Sequence, residues 1–420
     1  MIKEKKYIGP RVKKRANDWE ITPLQECIKG TGQYGINKPA IDFNPNLPRY
    51  LRITDIDDNG FLKFDNLKSV ETDKYGNYLL KEGDIVFART GNTVGKSYLY
   101  KKGDGLLVFA GYLIRFRPKP EILRPKYLKY YTESNIYWNW VNVISQRSGQ
   151  PGVNSSEYKK LPILLPPLIE QDKIVQILST WDQAITTLEK LINAKKQCKK
   201  ALMQQLLTGK KRFPEFEGEP WREVKLYEIA NVISSNLDKK IKKDQEKVEL
   251  CNYMDVYDNS VIDSSISFMK STASKFEIKK YVLKNDDVII TKDSETPDDI
   301  ASAAFIDNLK KRVLCGYHLA IIRPKKGKVI GNFLAKQMME FSYRKQFFRI
   351  ANGATRFGLR IADIEKSKFF IPSLNEQKYI SSFLNNINRE IILLNKLQSI
   401  FALQKKGLMQ QLLTGKIRVT

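Results

Sequence analysis

The stretch RTGNTVGKS, from Arg89 to Ser97, sets an arginine and a lysine on a glycine-rich segment together with hydroxyl and amide side chains. Backbone amides and Lys96 of such a loop suit phosphate oxygens, while Arg89 or Asn92, with Thr90 between them, can meet base edges. A plain turn between strands uses the same residue types. SQRSGQPGVNSS, from Ser145, offers Arg147 and Gln150 in a similar loop, and NGATRFGLR, from Asn352, offers Thr355, Arg356 and Arg360. Arg52 in RYLRITDI, Asn252 in LCNYMDVYDNS and Lys292 in TKDSETPDD complete the candidates for contact with DNA.

Catalytic motifs do not emerge from the same scan. GTGQYG at Gly30 satisfies G-x-G-x-x-G, but the following INKPAIDFNPNLP is broken by Pro and Asn and does not read as the helix a dinucleotide site needs. An amino-methyltransferase would show Asn or Asp, two prolines and an aromatic, whereas LPPL at Leu165 has leucine on both sides. Pro297-Asp298 is not followed within about thirty residues by the Asp/Glu-x-Lys of the usual nuclease arrangement. The only histidine, His318, sits in an apolar run and reads as a packed side chain. Cys27, Cys198, Cys251 and Cys315 form no C-x-x-C pair, so neither a disulfide framework nor a zinc site is indicated. No catalytic residue and no metal ligand is expected.

The elements that carry these loops must fit into 420 residues, a length suited to two domains of about 150 to 200 residues each. With 42% hydrophobic, 28% charged and 11% aromatic residues, the chain can bury substantial cores. Its 72 Lys plus Arg against 46 Asp plus Glu leave a formal charge of +26. An excess of that size repels itself and calls for a polyanionic partner, nucleic acid ahead of anionic membrane. No stretch approaches the ~18 apolar residues of a spanning helix, and MIKEKKYIGPRVKKR lacks the apolar run of a signal peptide. A cytoplasmic protein with no membrane partner is expected.

LMQQLLTGK occurs twice, at Leu202–Lys210 and at Leu408–Lys416. The shift of 206 positions also lays LPPLIEQDKIVQIL, from Leu165, on IPSLNEQKYISSFL, from Ile371, and the match runs without a gap to both LLTGK ends. Apolar residues recur at heptad spacing in each copy. Ile174, Leu178, Trp181, Ile185, Leu202 and Leu206 mark the first stripe; Ile380, Leu384, Ile387, Leu408 and Leu412 mark the second. Two helices of about 40 residues, about 60 Å each, are expected. Lys195, Lys199, Gln398 and Lys405 interrupt the stripes as solvated edges or register markers. Such a stripe speaks for packing and not for catalysis.

The segments ahead of the helices correspond more loosely. Trp19 aligns with Trp221, Asp55 with Asp255, and LKEGDIVFA at Leu80 with LKNDDVIIT at Leu283, each an alternating strand-like run behind a turn. Gly111-Tyr112 and Gly316-Tyr317 are each followed by an Arg-Pro pair, Arg117-Pro118 and Arg323-Pro324. KRFPEFEGEPW, from Lys211, is a connector. The chain therefore reads domain, long helix, domain, long helix, with mixed strand and helix in each domain.

This layout resembles the specificity subunit of a type I restriction-modification enzyme over essentially the whole chain. Its most specific marks are the paired P-x-L-x-E-Q helix starts at Pro166 and Pro372 and the duplicated LLTGK ends; RYLRITDI and LKEGDIVFARTGNTVGK are also similar to first-domain motifs of that family. The second half departs from them, with YMDV for ITDI and TKDSETPDD in place of the Arg-Thr-Gly loop. The resemblance implies a mixed α+β fold of two target recognition domains, residues 1–165 and 211–371 with a connector over 211–220. They would be separated by central (166–210) and distal (372–420) helical regions that pack antiparallel with pseudo-two-fold symmetry. Each domain would bind one half of a split, asymmetric site in double-stranded DNA. Two modification subunits with S-adenosylmethionine, and restriction subunits using ATP and Mg, would dock on the repeated scaffold, this chain holding no cofactor itself. The rivals are a DNA methyltransferase or nuclease with degenerate motifs and a coiled-coil scaffold whose domains bind protein.

Overall fold

The computed structural model describes residues 19–58, 60–73 and 75–419. The N-terminal MIKEKKYIGPRVKKR, read above for a leader, lies outside them. Two helices of 39 residues dominate the secondary structure, a central one over Leu168–Leu206 and a distal one over Leu374–Leu412. The chain divides into two compact units, Met1–Glu189 with Lys396–Thr420, and Lys190–Asn395.

In the first unit, Gln33–Tyr34, Leu113–Phe116, Ile85–Ala88 and Ser97–Leu99 form an antiparallel four-stranded sheet in that order. A second four-stranded sheet sets Arg49–Leu51 parallel to Leu107–Phe109. The core is rich in tyrosine, and four fully buried hydroxyls find backbone carbonyls: Tyr127 donates to Leu164 at 2.8 Å, Tyr131 to Pro162 at 2.7 Å, Tyr137 to Gly95 at 2.6 Å and Tyr158 to Ala88 at 2.8 Å. That pairing lets bulky aromatics fill a core without leaving polar atoms unsatisfied. Ile174 and Leu178 of the central helix join this core, as do Met409, Leu412 and Leu413 from the end of the distal one.

The second unit has a five-stranded sheet in the order Ala230–Ser234, Leu319–Pro324, Val288–Thr291, Ala303–Ile306, Val261–Ile262, and a three-stranded sheet around Glu246–Cys251. Its core takes Leu206 and Leu207 from the end of the central helix, with Ile380 and Leu384 from the start of the distal one. The leucines of the LLTGK repeats are thus interior residues of their own chain. The glycines that follow, Gly209 and Gly415, have φ of +70° and +67°, the left-handed geometry that ends a helix. A Cβ on Gly209 would sit 3.2 Å from the Trp221 ring.

The seam cations are engaged rather than solvated. In the second unit Lys195 pairs with Glu390 at 2.8 Å and Lys199 donates to Asn388 at 2.7 Å. In the first, Lys405 reaches Asp182 at 2.7 Å and lies over the Tyr130 ring, while Trp181 meets Phe401 edge-on at 5.4 Å. Within the second unit the paired helical segments run antiparallel, since from Lys195 to Lys199 the partners fall from Glu390 to Asn388.

Two expectations are corrected. Ile85–Ala88 and Val288–Thr291 are buried at every position, not alternately, because each lies inside its sheet. Behind them the turns share one form: Gly83 (φ +87°) and Asp286 (φ +74°) precede Asp84 and Asp287, which face Arg117 at 3.3 Å and Arg323 at 2.7 Å. The Arg-Pro pairs are therefore anchors of these turns. Finally, His318 is no core residue; it stands on a loop at φ +70° with 28% of its side chain exposed.

Candidate nucleic-acid interface

In the first unit three backbone segments meet at the end of strand Ile85–Ala88. The Arg89 amide donates to the Tyr112 carbonyl at 3.0 Å, and the Arg89 carbonyl accepts from the Val153 amide at 2.8 Å. The loop that leads into Val153 is closed by the Gly152 amide on the Ser145 carbonyl at 3.0 Å. The second unit repeats this frame. There the Lys292 amide donates to His318 at 3.0 Å, the Leu359 amide to Lys292 at 2.8 Å, and the Gly358 amide to Asn352 at 2.9 Å. By these bonds Lys292 stands where Arg89 does, and His318 where Tyr112 does. The Gly-Tyr steps thus align one position away from where residue identity puts them.

On this common frame the side chains differ. The Arg89 guanidinium lies 5.0 Å from the centroid of Tyr34, an exposed ring on the edge strand Gln33–Tyr34 of the same sheet. At the matching strand position in the second unit is Ser234, whose hydroxyl accepts from Lys292 Nζ at 2.9 Å, and the same ammonium lies over Tyr317. Tyr112 is 60% exposed, whereas His318 Nδ1 lies 2.6 Å from Asp293 Oδ2 with Arg356 beside the ring. Arg89 and Arg356 have no carboxylate within ion-pair reach among the described residues.

The remaining candidates fall into two groups. Thr90, exposed Asn92 and Lys96 share the Arg89 loop, with Lys96 bonded to exposed Asp58 at 2.6 Å. Gln150 approaches the turn at Gly91, and Arg147 is held by Glu157 at 2.6 Å. Thr355 and Arg356 are exposed on the Asn352–Gly358 loop, while Arg360, just beyond it, pairs with Asp363 at 2.6 Å. Arg52 and Asn252 form the second group. Each begins a short helical turn, its amide donating to Asp55 at 2.8 Å or to Asp255 at 2.7 Å, and the Arg52 guanidinium is further held by Asp55 and the Asn66 carbonyl. This cap explains why Asp55 and Asp255 recur.

The P-x-L-x-E-Q starts build a clasp that sequence reading passed over. Glu170 accepts from the Trp19 indole at 3.0 Å and from Arg418 at 2.7 and 2.8 Å. Burial would raise its pKa, but these bonds hold it below the usual carboxylate range. Glu376 accepts likewise from Trp221 at 3.1 Å and from Arg212, whose own pKa is pushed up by that bond. The neighbouring glutamines seal the helix heads: Gln171 donates to the Pro166 carbonyl at 2.9 Å and Gln377 to Pro372 at 3.0 Å. The available signal was the joint recurrence of Trp, Glu-Gln and the Arg after each LLTGK.

Among the described residues no helix is long and apolar enough to cross a membrane. The type I restriction modification DNA specificity domain model matches residues 17–196 and again 218–402. Two curated relatives come from Methanocaldococcus jannaschii. The type I restriction enzyme MjaVIII specificity subunit is 25% identical over 416 residues, covering 96% of this chain and 93% of the relative. The putative MjaX specificity subunit is 27% identical over 438 residues, covering 99% and 98%. In fold, the chain is similar to one solved in a study of assembly and conformational transition of the type I R-M system, with a TM-score of 0.62 at 18% identity over 96% of this chain and 100% of that one. None of these similarities favours the methyltransferase or nuclease alternative.

Proposed function

The chain belongs to the type I restriction-modification DNA specificity family, and from that premise we propose how its residues divide the work. Each three-segment frame reads one half of a bipartite, asymmetric duplex site. In the first half Arg89, Thr90, Asn92, Lys96, Arg147 and Gln150 face the DNA; in the second Lys292, Thr355, Arg356 and Arg360 do. Arg52 and Asn252, each at the start of a capped helical turn, complete the DNA-facing set. The recognition domains are residues 1–165 and 211–371. The observation that carries this reading is the identity of the two backbone frames beside the difference in their side chains. A shared frame places the loops, and divergent residues give each half its own sequence to read.

The helices bring the repeated heads and ends together as equivalent surfaces for two modification subunits, which would hold S-adenosylmethionine for methyl transfer. Restriction subunits would supply translocation and cleavage with ATP and Mg. The chain itself carries out no chemical step and works in the cytoplasm. DNA binding by the purified chain, followed against salt, tests the reading. A protein of charge +26 that makes about six or more phosphate contacts loses ~10³ or more in affinity between 50 and 200 mM salt. A flat salt plot, or methyl transfer by the chain alone, would end it.

A further inference from the structure

Within the Lys190–Asn395 unit, the later turns of the central helix, the end of the helix Gly331–Met339 with Glu340 and Phe341, and the middle of the distal helix line a cavity of about 690 Å³. A smaller recess of about 80 Å³ shares Lys199, Met203, Met339 and Asn388 with it and is lined by Lys336 as well. Lys199 donates to Asn388 Oδ1 at 2.7 Å; Lys336 donates to Asn385 Oδ1 at 2.8 Å and to Asn332. Both side chains are half-buried, and among the described residues neither has a carboxylate within ion-pair reach. Lys195, one turn before Lys199, does have one, in Glu390.

Two partly desolvated ammonium groups held near each other, with only amide oxygens for partners, are at a disadvantage that an anion would relieve. Burial, and then the charge of Lys199, push the pKa of Lys336 down to about 8, and burial lowers that of Lys199. The one carboxylate of the lining, Glu340, is engaged by the Ser342 amide at 2.9 Å. Lys196 and Lys200 stand exposed at the rim. The other flank is apolar: Met339 is 37% and Phe341 71% exposed at the cavity mouth. A cationic floor, an apolar wall and a volume within the ~300–1,000 Å³ of ordinary ligand sites suit a ligand with phosphates at one end and a flat ring at the other.

We propose that this cavity, together with the recess that adjoins it, is a nucleotide site, with Lys199 and Lys336 on the phosphates and Phe341 and Met339 against the base. The site lies apart from the reading loops and goes beyond the expectation that this chain holds no cofactor; it does not depend on the DNA-reading assignment. The test uses the purified full chain, free of partners, titrated calorimetrically with ATP, inorganic phosphate and adenosine at constant ionic strength. ATP is expected to bind at one site and to raise Tm, phosphate to bind more weakly, and adenosine most weakly. Lys199→Gln, which can keep a bond to Asn388, should weaken ATP about tenfold or more while the circular dichroism spectrum is unchanged. Binding should also fall from pH 7 to pH 9 as Lys336 loses its proton. Equal ATP affinity in the parent and Lys199→Gln would mean diffuse surface charge and overturn the proposal, as would no binding at all. If Lys199→Gln weakens a DNA duplex as much as ATP, the seat belongs to the DNA backbone and the proposal also falls.

Discussion

At the head of the central helix, Glu170 gathers Trp19 and Arg418; at the head of the distal helix, Glu376 gathers Trp221 and Arg212, with indole bonds of 3.0 and 3.1 Å. At the loop tips the two units part company: Arg89 over Tyr34 against Lys292 on Ser234, and open Tyr112 against His318 held by Asp293. The contrast follows from where water is. A buried carboxylate needs the indole and guanidinium that cover it, because leaving it or them unpaired costs far more than the pair gains. A side chain at an exposed tip has water as a partner in reserve, and it can be exchanged without disturbing the frame beneath it.

Removing an acceptor from a clasp should give the largest effect. Glu376→Ala strands the Trp221 indole and Arg212, whose side chain is only 17% exposed, and should cost about 3–5 kcal/mol in urea unfolding. Glu170→Ala should cost about half as much, since Arg418 is 33% exposed and better served by water. Equal losses would break the asymmetry between the clasps.

Next come the equivalent tips. Arg89→Ala should cost ~1–3 kcal/mol in specific binding and relax the bases accepted in one half-site only. Lys292→Ala should weaken all sequences alike and lower the salt slope by about one, because an ammonium acts as a point charge where a guanidinium can form a bidentate fork. Mapping methylated sites of the assembled enzyme, together with salt titrations, checks both. Relaxation in both halves after either change would show that the frames do not act separately.

The smallest effect on stability belongs to His318→Asn. Asn tolerates the left-handed backbone at φ +70°, so unfolding should shift by less than about 1 kcal/mol. The bases accepted by the second half should nevertheless change. An unaltered methylation pattern would mean that His318 only props Asp293.

The sequence made the helices plain, because heptad spacing and a repeat shifted by 206 positions are local and regular signals. The clasps were harder to see, since Trp19 and Arg418 lie 151 and 248 positions from Glu170 and only folding joins them. The loops were legible as loops, but their register was not. Gly111-Tyr112 and Gly316-Tyr317 match by residue identity, whereas the hydrogen bonds that fix equivalence run through Tyr112 and His318. Lys199 looked like an interruption of a stripe; only its surroundings reveal a half-buried cation beside Lys336.

The closing of the first unit by Met409, Leu412, Leu413 and Arg418 bears on the order in which a ribosome delivers the pieces. The second unit needs nothing beyond Asn395, and its share of the central helix, with Leu206, Leu207 and Arg212, has already been made when its own sheets emerge. The first unit must wait for Met409, Leu412 and Leu413 of its core until some two hundred further residues have been added. The half written first is therefore the half finished last, and during synthesis it is the one with most need of a chaperone to shield its open core.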